Sequence, residues 1–168
     1  MLSGVVMKKS FVGGFSLIEL IIVMAIIGVM ASVAGAAFQR YVHNTNLKNA
    51  ARDISTDIQN CKARARSTLT DYLIIFNQPA ANEYQICPTS NCLNCSGTAT
   101  TKRLADAGSG ITFDNVGFPG GNICIYRRGT AEPGSVRLKN SRNSIMTITV
   151  NITGKSYVDP DPAKTNMQ

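Results

Sequence analysis

This chain of 168 residues is poor in the side chains that do chemistry. It has a single histidine, His43. No serine–carboxylate or metal constellation accompanies it, so histidine-based nucleophilic or acid–base catalysis has no footing. Neither a Walker-type phosphate loop nor a dinucleotide fingerprint occurs. No Cys-x-x-Cys-His is present, which leaves covalent c-type haem unsupported. The expectation is a protein that is not an enzyme, with no catalytic residue, no bound metal and no cofactor. Charged residues make up 16% of the chain, and one long stretch nearly lacks them.

That stretch runs from Phe15 to Phe38, about 24 residues in which Glu19 is the only ionisable group. No proline interrupts it; only Gly28 and Gly35 do. At about 1.5 Å per residue it makes a helix of roughly 36 Å, longer than a hydrocarbon core of about 30 Å. Soluble core helices are rarely apolar on every face for such a length. Lys8 and Lys9 precede the run, which puts the start of the chain in the cytoplasm. The expectation is a single membrane pass with the rest of the chain on the far side, an oxidising compartment in a Gram-negative host. Glu19 is the anomaly. A carboxylate costs a few kcal/mol in hydrocarbon, so it is a candidate functional residue by default.

Beyond the run the pattern stays helical and turns amphipathic. Leu47, Ala51, Ile54, Ile58, Cys61, Ala65 and Leu69 recur at spacings of three and four, and Arg40, Lys48, Arg52, Lys62, Arg64 and Arg66 fall mostly elsewhere. One helix is expected from Phe15 to about Ser67. From Tyr72 onward the texture is β. Tyr72–Phe76 and Glu83–Cys87 read as a hairpin, followed by an irregular polar stretch from Pro88 to Gly110. Ile111–Phe113, Asn122–Arg127, Ser135–Lys139, Ile145–Ile152 and Lys155–Val158 read as further strands, joined by glycine-rich or polar turns. The tail after Asp159 is polar and expected to fray. The fold class is α+β, a long N-terminal helix packed on an antiparallel β-sheet domain.

Five cysteines stand at 61, 87, 92, 95 and 124. Cys87-x4-Cys92-x2-Cys95 has the spacing from which a thiolate metal site could begin. An oxidising compartment favours disulfides among Cys87, Cys92, Cys95 and Cys124 instead, and their connectivity is not readable from spacing. Cys61 lies on the apolar stripe, where a buried free thiol is the common fate.

Gly13-Gly14-Phe15-Ser16-Leu17-Ile18-Glu19, with the apolar run behind it, resembles the processing motif of type IV prepilins and type II secretion pseudopilins. The glycines precede the apolar segment, so cleavage there leaves the helix on the mature chain, unlike removal of a secretory signal. The resemblance implies cleavage between Gly14 and Phe15 by a prepilin peptidase and N-methylation of Phe15. It also implies a role in filament assembly for Glu19, through a neighbouring subunit's α-amine. On this basis residues 1–14 are a leader peptide, 15–38 the transmembrane and assembly half of the helix, and 39–168 the periplasmic globular domain. The implied partners are other pilins or pseudopilins, the prepilin peptidase and the cytoplasmic membrane. The late segment, with Arg128-Gly129-Thr130, Gly134-Ser135-Val136-Arg137-Leu138 and Thr153-Gly154-Lys155, resembles more loosely the GspH/FimT group of minor pseudopilins.

The chain carries a net charge of +7, or +5 without Lys8 and Lys9. Arg127, Arg128, Arg137, Arg142 and Lys155 cluster late in the sequence and are candidate DNA contacts that could share one face. Some FimT-like minor pilins bind DNA through a Gly-Arg-x-Arg-like motif. This chain departs from it with Gly154-Lys155-Ser156-Tyr157, one base in place of two, so a structural filament subunit is the first expectation and a DNA-binding pilin the alternative.

Overall fold

The computed structural model describes residues 15–160, apart from the side chains of residues 33–37. Gly14, the leader and the tail beyond Pro160 lie outside the described residues. One helix, α1 (Leu17–Thr68), is followed by eight strands. These are β1 (Asp71–Phe76), β2 (Glu83–Thr89), β3 (Thr100–Arg103), β4 (Ile111–Gly117), β5 (Asn122–Ile125), β6 (Gly134–Asn140), β7 (Ile145–Val150) and β8 (Ser156–Pro160). The chain divides into two compact units, one ending at Phe38 and the other beginning at Gln39.

In the second unit the apolar stripe of α1 does what its spacing dictates as far as Ala65; Leu69, expected to continue it, is exposed and lies just past the helix. Leu47, Ala50, Ala51, Ile54, Ile58, Cys61 and Ala65 are all buried in the main core. The helix stops where Leu69 takes a left-handed conformation (φ 54°), which turns the chain out of the helical path and into β1.

The strands form two antiparallel sheets of four, ordered β3-β2-β1-β5 and β4-β6-β7-β8, where the alternation of the sequence suggests one. In the first sheet β1 is an inner strand buried on both faces, hence its continuous run Leu73-Ile74-Ile75-Phe76. Ile74 and Phe76 belong to the main core with the helix. Leu73 and Ile75 face the other way, into a small second core with Cys87 and Cys124. In the second sheet Val136, Leu138, Ile148 and Val150 complete the main core.

Three local expectations are corrected. The stretch from Pro88 to Gly110 is not wholly irregular. Thr100–Arg103 pairs with Glu83–Ile86 as an edge strand. It has no apolar alternation to announce it because almost none of it is buried. Arg127 lies outside β5, which ends at Ile125 before the turn Tyr126–Gly129, closed by the Gly129 amide on the Tyr126 carbonyl. Ile152 lies outside β7 and is exposed, because Asn151 turns the chain there by accepting at its Oδ1 from the amides of Thr153 and Lys155.

Candidate functional site

The helix starts within the Phe15–Glu19 segment, at Leu17. Ser16 lies just outside it, and its carbonyl accepts from the amides of Glu19 and Leu20 at 3.1 and 3.3 Å. Glu19 therefore sits in the first turn, where the helix macrodipole favours a carboxylate. It is exposed and has no ion-pair partner among the described residues. Phe15 is 86% exposed.

Around Glu19 the helix is apolar on all sides. Leu20, Ile21, Ile22, Val23 and Met24 are each at least 49% exposed. Five consecutive residues at 100° steps go once round the cylinder, so no face of this segment is covered among the described residues. Apolar surface of this extent calls for lipid or other helices. Among the described residues no helix is long and apolar enough to cross a membrane. The described side chains run unbroken only to Ser32, and Val33-Ala34-Gly35-Ala36-Ala37 continue the run beyond them.

Register explains how the cysteines are used. Leu73 of β1 lies opposite Cys87 of β2 on one side and Cys124 of β5 on the other. The two cysteines are thus two strand spacings apart, about 9.6 Å, beyond the roughly 7 Å that a disulfide spans. Neither can reach the other, and each bonds a cysteine from the loop above: Cys87 with Cys95, and Cys92 with Cys124. Thr89 Oγ1 accepts from the Cys92 amide at 3.1 Å and donates to the Asn94 carbonyl at 2.7 Å, which folds the loop so that both bridges close. The loop then covers Leu73 and Ile75. Cys61 is the free, buried thiol.

The basic candidates do not share one face. Gly129 (φ +85°) and Gly154 (φ +68°) let two turns meet over the end of α1. A Cβ on Gly154 would lie 2.9 Å from the Gly129 carbonyl oxygen, and one on Gly129 would lie 2.9 Å from Arg66 Cδ. Lys62 Nζ donates to the Thr153 carbonyl at 2.7 Å. The turns that carry Arg127, Arg128 and Lys155 are therefore set beside Lys62 and Arg66, two residues that the linear sequence did not associate with them, and Asp71 Oδ1 accepts from the Arg127 amide there at 2.7 Å. Arg137 instead contacts Asp114 at the β4 bulge, with Nε 3.5 Å from Oδ2, a meeting of charges without a hydrogen bond. Arg142 lies on the β6–β7 turn, with Nη2 donating to Gln39 Oε1 at 3.4 Å. From Gln39 to Lys62 is about 34 Å along the helix.

Sequence reasoning missed a buried carboxylate. Asp57, 6% exposed, accepts from Tyr84 Oη at 2.6 Å and from Lys102 Nζ at 2.7 Å. These residues floor a cleft of about 330 Å³ between α1, β2 and β3, with Asp53, Asn60 and Asp106 at its walls. Burial, then the bond to Asp57, raises the Tyr84 hydroxyl far above its ordinary range. Burial, then the Asp57 charge, pushes the Cys61 thiol up to about 12. The signal was available: an aspartate three residues after Ile54 falls on the apolar stripe. Among the described residues no group of His, Cys, Asp and Glu could hold a metal ion. His43 is half-buried and its Nδ1 finds no partner.

Residues 10–35 match the prokaryotic N-terminal methylation motif. No curated protein matches the chain. Solved structures of minor pilins and pseudopilins share its fold, among them the following. The type IV minor pilin FimU of Pseudomonas aeruginosa is 10% identical, over 71% of this chain and 92% of that one, with a TM-score of 0.56. The minor pseudopilin EpsH of the Vibrio cholerae type 2 secretion system is 12% identical, over 68% of this chain and 97% of that one, with a TM-score of 0.53. The methylation motif therefore heads a helix-on-antiparallel-sheet fold that minor pilins and pseudopilins also have.

Proposed function

We propose that this chain is a minor pilin or pseudopilin of the GspH/FimT type, a structural subunit of a type II secretion pseudopilus or a type IV pilus. The observation that carries the reading is the helix half at Phe15–Ser32, exposed and apolar on every side with one carboxylate in its first turn. Such a surface is stable in two settings, lipid and a bundle of like helices, and a filament subunit passes from the first to the second. The sequence from Phe15 to Phe38 supports a single pass of the inner membrane before assembly, with the domain from Gln39 onward in the periplasm. Two disulfides in that domain suit an oxidising compartment.

In this reading a prepilin peptidase cuts after Gly14 and the freed α-amine of Phe15 is methylated. Glu19 of one subunit then pairs with the α-amine of a neighbour's Phe15 as the helices bundle. In lipid the carboxylate is costly. In the bundle its charge is compensated in a medium of low dielectric, which favours assembly and sets the stagger between subunits. The work is assembly rather than turnover. Mass spectrometry of the protein from its host tests this: the mature chain is expected to begin at N-methyl-Phe15, and Gly14→Leu to leave an uncut, membrane-bound precursor. A mature chain that retains Met1 would refute the reading.

A DNA-binding minor pilin is the second reading. What favours it is the meeting of Arg127, Arg128 and Lys155 with Lys62 and Arg66, none in an ion pair among the described residues.

A further inference from the structure

Arg142 stands apart from the other late basic residues, and the turn that carries it is built to hold it there. Asn140 is buried, and its Oδ1 accepts from the amides of Arg142 and Ser144 at 2.9 and 3.0 Å. Its Nδ2 donates to Asn44 Oδ1 at 3.0 Å, and Ser144 Oγ donates to the same oxygen at 3.0 Å. Asn143 takes φ 64° to close the turn. A buried side-chain network thus pins the β6–β7 turn to α1 at Asn44 and lays the exposed Arg142 against Gln39, rather than leaving it on a free loop.

Gln39 is the residue directly after the apolar run, so the level at which Arg142 is held is the level at which the run ends. Two neighbours complete the edge. Arg40 is exposed, and Tyr41 is 69% exposed, with no aromatic or hydrogen-bond partner for its ring among the described residues. Neither Arg40 nor Arg142 has a carboxylate partner among the described residues. A tyrosine with an exposed ring next to an arginine just past an apolar run, with a second arginine held at the adjoining Gln39, is the composition that settles at a membrane–water interface.

We propose that Arg40, Tyr41 and Arg142 form a collar that seats the domain on anionic phospholipid headgroups. This rests on the reading of the chain as a membrane-anchored subunit. Arginines held near an anionic surface attract it over about a Debye length, and the tyrosine ring takes the boundary between headgroup and acyl chain. The collar fixes the height of the domain above the bilayer before the subunit leaves it. Asp159, opposite Thr147 on β8, adds a charge of the other sign to this part of the second sheet, so the measured preference is the net of both.

The chain contains no tryptophan, so Tyr41→Trp supplies a single fluorescent reporter in the full-length protein. The probe is a set of vesicles of phosphatidylcholine and phosphatidylglycerol, with bromine on the acyl chains of one lipid or the other. Flotation with the vesicles tests anchoring first. The introduced tryptophan is then expected to be quenched preferentially by brominated phosphatidylglycerol. Arg142→Gln should lower that preference about fivefold, the effect of one cation near an anionic surface. Arg142→Lys should retain it, and Lys155→Gln should leave it unchanged. Circular dichroism is expected to be the same for all variants, since the turn is held by Asn140 and not by the Arg142 side chain. A chain that floats but shows equal quenching by both lipids, or a preference untouched by Arg142→Gln, overturns the collar alone. A chain that fails to float overturns the anchoring reading and the collar with it.

Discussion

Removing the two disulfides one at a time separates loop closure from packing. The pairs are Cys87→Ala with Cys95→Ala, and Cys92→Ala with Cys124→Ala. Each removes one fully buried strand cysteine and one half-buried loop cysteine, so the packing losses are closely matched. The loops differ: the bridges join residues 8 and 32 apart. Neither bridge shortcuts the loop that the other closes, because Cys92 lies inside the smaller loop and Cys124 outside it. Chain-entropy closure gives about 2.5 kcal/mol for the shorter loop and about 3.7 kcal/mol for the longer. The difference, about 1.2 kcal/mol, follows from a fourfold ratio of loop lengths. Urea unfolding of the detergent-solubilised chain, followed by circular dichroism, measures it. The variant lacking Cys92–Cys124 should be the less stable of the two and melt roughly 5 °C lower. Equal stabilities, or the reverse order, would refute the reasoning and place the benefit in local packing over Leu73 and Ile75 rather than in closure of the chain.

Glu19→Ala should leave membrane association intact or stronger, because it removes a costly charge, while incorporation into filaments falls; co-purification with filaments measures this, and equal incorporation sinks the pairing role. Cys61 and Tyr84 keep their protons in the fold above the pH at which the unfolded chain releases them, about 9 and 10. Stability is therefore full below about pH 9 and declines as pH rises, by at most about 1.4 kcal/mol per pH unit for each group. Unfolding midpoints between about pH 8 and 11 read the slope, and Tyr84→Phe should flatten its upper part. DNA binding should stay in the non-specific range of about 10⁻⁴ to 10⁻⁶ M at physiological salt and weaken steeply with added salt. Lys155→Ala and Arg128→Ala should weaken it and Arg142→Ala should not, whereas submicromolar binding in a mobility-shift titration would favour the DNA-uptake reading.

The sequence by itself determined whatever depends on neighbours along the chain. Helix periodicity needs only residues three and four apart, so α1 and its buried stripe were legible from Leu47 to Ala65. The N-terminal methylation motif and the apolar run are contiguous, and the lone carboxylate that stands in them, Glu19, required no tertiary information. Alternation located the inner strands, where one face or both are buried. It missed β3, which is exposed and held by its ladder and by Lys102 and Arg103, and it could not divide eight strands into two sheets, because pairing between distant strands is set by packing on the helix. Cysteine connectivity was closed to sequence for the same reason: only the register that places Cys87 and Cys124 on either side of Leu73 rules out their direct bond. The basic residues make the same point. Arg128 and Arg142 are 14 positions apart in sequence, as Lys62 and Lys155 are 93 apart. Folding brings the second pair together near the C-terminal end of the helix and sets Arg142 beside Gln39 at its middle, because the β6–β7 turn is pinned where the half-buried Asn44 of the helix meets Asn140 and Ser144.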